Sequence, residues 1–180
     1  PVSKPLKEIL VTGPSAPPLE TLESLAGKTV HVRLSSSYAE SIRALNDRLI
    51  KQDLAPVRIE AMDESLEDED LIEMVDAGLL PWAIVDDYKP QMWREVFTRT
   101  VVRNDLVLRS GGRLAWAVRP SNPKLLRFLN TFVKDNREGT LFGNVIRNRY
   151  IRDFDWAENA IGDEELNRYR ALSVYFLKYG

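Results

Sequence analysis

LAGKTVHVRLSSSYAESIRALNDRL, residues Leu25 to Leu49, is the stretch whose reading decides the fold. Gly27 and Lys28 form a turn. Val30, Val32 and Leu34 then alternate with Thr29, His31 and Arg33, which predicts a strand. Ser35, Ser36 and Ser37 hand that strand to a helix carrying Ile42, Leu45 and Leu49 at helical spacing. Small hydroxyl residues at such a junction leave N–H groups pointing outward at the positive end of a helix dipole, a setting that suits a carboxylate. The same serines have a plain structural use, since serine is a preferred N-cap.

Upstream, Leu6 to Thr12 is a short apolar run that reads as a strand, broken by Gly13, Pro14, Pro17 and Pro18. Downstream, Val57, Ile59 and Ala61 alternate as a second strand after Pro56. The acidic run Asp63 to Asp70 opens a helix with Leu71, Met74 and Val75. Acidic residues suit a first turn, so the run reads as a solvated helix start and not as a metal site. Gly78 ends that helix, and Trp82 to Asp87 forms a continuous apolar strand closed by two carboxylates, Asp86 and Asp87. Such a run suits a strand buried on both faces of a parallel sheet. The alternation of strands and helices predicts an α/β unit with strands 29–34, 57–61 and 82–86 adjacent in one mainly parallel sheet. Ligands bind beyond the carboxyl ends of such strands, and both Ser35–Ser37 and Asp86–Asp87 fall there.

Further along, Pro90 to Glu95 reads as a short helix. Phe97 to Val102 is strand-like, and the runs at 106–108 and 114–118 flank Ser110-Gly111-Gly112 as a hairpin. Asn122 and Pro123 start a helix whose Leu125, Leu126, Leu129, Phe132 and Val133 are expected to face inward. Gly139 breaks it, and a last helix is expected from Asp163 with Leu166, Tyr169, Leu172 and Phe176.

The 180 residues are 44% hydrophobic with a net charge of -2, enough for one large domain or a domain with an appendage. Lys and Arg are scattered, which gives no footprint for nucleic acid. Cysteine is absent, which removes disulfides, thiolate metal sites and cysteine nucleophiles. No apolar run reaches the length of a membrane span, and the first residues lack the features of a signal peptide. The abrupt start at Pro1 and the stop in a helical pattern at Gly180 read as part of a longer protein.

LAGKTVHVRLSSSYAES resembles the entry to the second lobe of type 2 periplasmic solute-binding proteins of the amino-acid-binding branch. EMVDAGLLPWAIVDD (73–87) is similar to that family's helix ending in Gly and strand ending in Asp, and residues 106–133 resemble its return to the first lobe. GTLFGNVIRNRYIRD and the acidic helix after it are similar to the connector of the membrane-bound lytic murein transglycosylase F family. There a solute-binding-like module precedes a lysozyme-like catalytic domain. The resemblance implies an α/β, periplasmic-binding-protein-like (type 2) lobe with a mainly parallel sheet, a partial second lobe and a C-terminal helical connector. Residues 13–97 would be the lobe, 1–12 and 98–136 the hinge and partial first lobe, and 137–180 the connector.

By the same resemblance Asp87 receives a ligand ammonium, a role Asp86 could equally hold, and Ser36 and Ser37 offer donors to a carboxylate. Ser35 completes the candidate set. The family loop often carries a Gly and a Thr, and neither stands here. The first half of lobe one, with its Arg for the ligand carboxylate, is also missing, so the return segment 98–133 lacks its usual partner. The implied function is a periplasmic regulatory module of a peptidoglycan-cleaving enzyme, outer-membrane associated through its parent. It would sense an amino acid, small peptide or muropeptide and bias an attached catalytic domain. The alternatives are an amino-acid receptor of an ABC transporter and a structural spacer with a decayed pocket. No catalytic residue, metal or cofactor is assigned to the chain itself: Glu40-Ser41 is a chance dipeptide, and His31 has no second ligand beside it. Trp82, Trp93, Trp116 and Trp156 read as packing residues, and Arg147, Arg149 and Arg152 as a solvated helix face.

Overall fold

The protein is described by a computed structural model covering residues 5–137 and 139–151. The expected helix beyond Asp163, Trp156 and Arg152 lie outside the described residues. The chain divides into two compact units, residues 1–126 and 127–180.

In the first unit the strands are β1 (Leu6–Thr12), β2 (Thr29–Val32), β3 (Arg58–Ala61), β4 (Trp82–Asp86) and β5 (Val101–Gly112). The helices are α1 (Ser37–Lys51), α2 (Asp68–Asp76) and the short α3 (Lys89–Met92). β2 and β3 pair in parallel, with His31 opposite Glu60. β4 pairs with β1, antiparallel, with Glu8 opposite Asp86 and Leu10 opposite Ile84. β5 pairs with the other edge of β1, also antiparallel. The expectation of one mainly parallel sheet is therefore corrected. The parallel ladder is confined to β2–β3, and 82–86 belongs to a three-stranded antiparallel sheet ordered β4-β1-β5. β2 and β4 still run side by side, tied by the Trp82 Nε1 donor to the Thr29 carbonyl at 3.1 Å. A strand–helix–strand pattern reports which elements exist, whereas β1 arrives from before the pattern begins and takes the open edge of β4.

β1 is buried on both faces, as a central strand must be. Leu10, Trp82 and Ile84 pack with Ile42, Leu45 and Leu49 of α1, the helical stripe read from the sequence. Leu71, Ile72 and Val75 of α2 are also buried. Gly13 lies against the end of α2, where any Cβ would collide with the Val75 carbonyl. Gly78 terminates α2 with φ +78°, a conformation glycine adopts without a steric cost. Asn46 of α1 holds the entry to β3, accepting from Val57 N at 2.7 Å and donating to Val57 O at 2.9 Å.

Beyond β4 the expectations need three corrections. The hairpin at Ser110-Gly111-Gly112 does not form, because the glycines close the single long strand β5, whose register against β1 shifts three times. Residues 114–118 are not a strand. The helix α4 (Pro123–Asn136) starts at its proline as expected but buries no residue, leaving Leu125, Leu126, Phe128 and Phe132 exposed. Trp116, expected as a packing residue, is 60% exposed.

In the second unit, α5 (Leu141–Ile151) begins where the Thr140 hydroxyl accepts from Gly143 N at 3.2 Å.

Burial ranks these positions for mutation. Ile42→Ala should cost about 3 kcal/mol, the usual loss for deleting a fully buried aliphatic side chain. Phe128→Ser, at 66% exposure, should change stability by less than about 0.5 kcal/mol. Urea unfolding of the two variants checks the contrast.

Candidate functional site

The carboxyl ends of β2 and β4 meet the first turns of α1, α2 and α3, and an unusual density of charge collects there. Asp68, on the first turn of α2, is only 3% exposed. Its Oδ1 accepts from the Arg33 guanidinium at 2.6 Å and its Oδ2 from the Tyr38 hydroxyl at 2.6 Å, with Lys89 Nζ at 3.1 Å. Burial works against ionisation of Asp68, but Tyr38, Lys89 and Arg33 together outweigh it and hold the carboxyl below its usual range. The same acid raises Lys89 and Arg33 despite their burial, and burial with Asp68 pushes the Tyr38 phenol far up. The expectation of a solvated acidic helix start is thus corrected at Asp68. Helical spacing places it on the stripe of Leu71, Ile72 and Val75, a signal present in the sequence.

Glu8 is the second buried acid, 6% exposed. It faces inward by strand alternation with Leu6 and Leu10. Ser37 donates to its Oε1 at 2.8 Å, Ser41 donates to its Oε2, and Arg109 stands 3.9 Å away. Glu8 was outside the expected site.

Asp86 lies opposite Glu8 across the β1–β4 ladder, so the two side chains share a face. Its backbone N–H donates to Tyr38 Oη at 3.1 Å. Its half-buried carboxylate has no hydrogen bond or ion pair among the described residues. Burial, then the Glu8 and Asp68 carboxylates, push Asp86 up to about 6, with Lys89 acting in the opposite direction. Asp87, the other expected ammonium receptor, lies in the turn just after β4, and its charge also raises Asp86. Its N–H donates to Lys7 O at 2.8 Å.

The serine loop is at the start of α1 as expected, but its three hydroxyls and the N–H groups of Ser35 and Ser36 are paired. Ser36 is the N-cap, accepting from Ala39 N and donating to Arg33 O at 2.6 Å, and its own N–H goes to Arg33 O at 3.1 Å. Ser35 gives both its N–H and its hydroxyl to Glu64. Ser37 is held by Glu8. The structure thus brings Ser37 and Asp86 together through Glu8, turns Ser35 toward Glu64, and leaves Asp87 in the turn just beyond β4. His31 Nε2 faces the Glu60 carboxylate at 3.4 Å, a cross-strand pairing. Among the described residues no group of three His, Cys, Asp or Glu side chains is placed to hold a metal. None of the described helices is long and apolar enough to cross a membrane.

The mixed α/β fold matches that of solved type 2 periplasmic solute-binding proteins. An ancestral arginine-binding protein bound to arginine superposes with a TM-score of 0.59 and 18% identity, over 81% of this chain and 60% of that one. An ancestral arginine-binding protein bound to glutamine gives a TM-score of 0.58 and 16% identity, over 82% and 60%. The substrate-binding protein of an amino acid ABC transporter gives a TM-score of 0.57 and 15% identity, over 83% and 61%. The chain therefore spans about three fifths of the length of these structures. No family model and no curated protein sequence matches it.

Two acids should respond oppositely to substitution. Asp68→Ala leaves Arg33 and Lys89 without their buried partner and should cost about 3 kcal/mol. The stability that Asp68 contributes is present above its ordinary value of 3.8 and lost as pH falls through its depressed folded value. Asp86 is raised from 3.8 to about 6, so its ionisation penalty grows between those values and is complete above the upper one. Asp86→Asn should therefore stabilise the fold at pH 7 by about 1 kcal/mol, allowing for solvent screening. It should also flatten the pH dependence between about 4 and 6 in thermal melts.

Proposed function

We propose that this chain is part of a periplasmic solute-binding module for a small, amino-acid-like solute, with Asp86 receiving its cationic nitrogen. The observation that carries this reading is the imbalance at the strand ends. Asp68 has two cations and a hydroxyl, Glu8 has two hydroxyls, and the half-buried Asp86 carboxylate has no partner among the described residues. A carboxylate in that setting gains most from an arriving ammonium or guanidinium. The arginine- and glutamine-bound neighbours support the ligand class through shared fold. In this reading residues 13–97 form the lobe, 1–12 and 98–136 pass to the opposing one, and 137–180 follow as a connector. Asp87 and Ser35–Ser37 border the site.

An amino-acid receptor of the transporter type is the best-supported setting, since a neighbour of that kind shares the fold. A regulatory module of a lytic murein transglycosylase is the second reading, supported by the resemblance of residues 139–153 and by α5 following α4. Competition by muropeptides, with amino acids failing to compete, would favour that second reading.

Calorimetry on the intact protein with arginine, lysine and their decarboxylated amines tests the proposal. At least one should bind, and Asp86→Asn should weaken it tenfold or more, a change of about 1.4 kcal/mol. Affinity should rise as pH increases from 5 to 7, because Asp86 must ionise from its raised value of about 6 to pair with the cation. No binding by any of them leaves the spacer reading in place, whereas unchanged affinity in Asp86→Asn removes Asp86 as the cation receptor.

A further inference from the structure

The start of α1 already holds a carboxylate from within the chain. Glu8 is buried there, with Ser37 on one oxygen and Ser41, one helical turn further on, on the other. Both hydroxyls that would otherwise greet an incoming anion on this face are committed to it. Two backbone donors of the loop are also engaged, Ser35 N–H by Glu64 and Ser36 N–H by the Arg33 carbonyl. The helix dipole that would attract a ligand carboxylate therefore acts on Glu8 instead. Arg33 and Lys89 are both bound to Asp68, and Arg109, 3.9 Å from Glu8, is also drawn to Glu40 at 3.4 Å. Asp86 stands directly across the ladder from Glu8 and shares its face. A carboxylate entering beside them would meet two like charges with the Ser37 and Ser41 hydroxyls already committed, whereas a cation would meet two acids, one of them without a partner among the described residues.

Resting on the reading of Asp86 as a cation receptor, we propose that Glu8 is a specificity-determining residue. By filling the anion position at the start of α1, it makes the site select amines that lack a carboxylate over the corresponding amino acids. The substrate class that follows is the decarboxylated amine, a guanidinium or alkylammonium cation with no acid group.

Arginine and agmatine differ only by the carboxylate and so isolate the effect. In calorimetry on the intact protein at pH 7.5 (about 1.5 units above the raised Asp86 value), agmatine should bind at least tenfold more tightly than arginine. Glu8→Gln keeps an acceptor for Ser37 while removing the charge, and should reduce that preference severalfold. Near-ultraviolet circular dichroism confirms the variant's fold, and should it not fold, the ratio in the natural chain decides alone. Arginine binding as tightly as agmatine, or an unchanged ratio in a folded Glu8→Gln, overturns the specificity role while leaving Asp86 as the cation receptor. Absence of binding by both ligands overturns the receptor reading and this inference with it.

Discussion

Removing Asp68 from water is expensive unless its charge is met, and the chain meets it from three directions. Arg33 reaches it from the end of β2, Tyr38 from the first turn of α1, and Lys89 from the first residue of α3. One buried carboxylate thus ties four elements whose sequence positions span more than fifty residues. The Tyr38 hydroxyl extends the tie by accepting from Asp86 N, which fixes the end of β4 against α1. Because the phenol is buried and held by Asp68, it stays a donor to the acid and an acceptor from the backbone.

That satisfied network gives Asp86 its chemical character. Every strong cation near the strand ends is already drawn to Asp68, to Glu69 or toward Glu8 and Glu40, so nothing within the described residues neutralises Asp86. Its carboxylate is partly desolvated between Glu8 and Asp68, and the proton affinity rises accordingly. A group that holds a proton more tightly than usual also gains more from another cation. The physical basis of the proposed recognition is therefore an unequal sharing of charge among three acids rather than any one motif.

Leu125, Leu126 and Phe128 of α4 present the opposite situation, apolar side chains exposed to water. The chain spans about three fifths of the solved structures it resembles. Apolar periodicity in a helix records that the face is to be covered; it does not record by what.

The local elements were legible from the sequence because they depend on short-range patterns. The stripe of Ile42, Leu45 and Leu49, the capping by Ser36, the termination at Gly78 and the apolar run of β4 all follow from periodicity and backbone preference. So did the placement of Asp86 and the serine loop at one end of the unit. The tertiary structure decided the rest. Strand pairing is set by which edges remain open after folding, so the antiparallel insertion of β1 beside β4 left no trace in the alternation of strands and helices. The register that sets Asp86 opposite Glu8 likewise lies outside any linear pattern. The commitment of Ser37 and Ser41 to Glu8 joins residues about thirty positions apart. Local patterns specify which face of an element is buried. Only the packed chain determines which charges meet once they are buried, because that depends on distances no linear spacing contains.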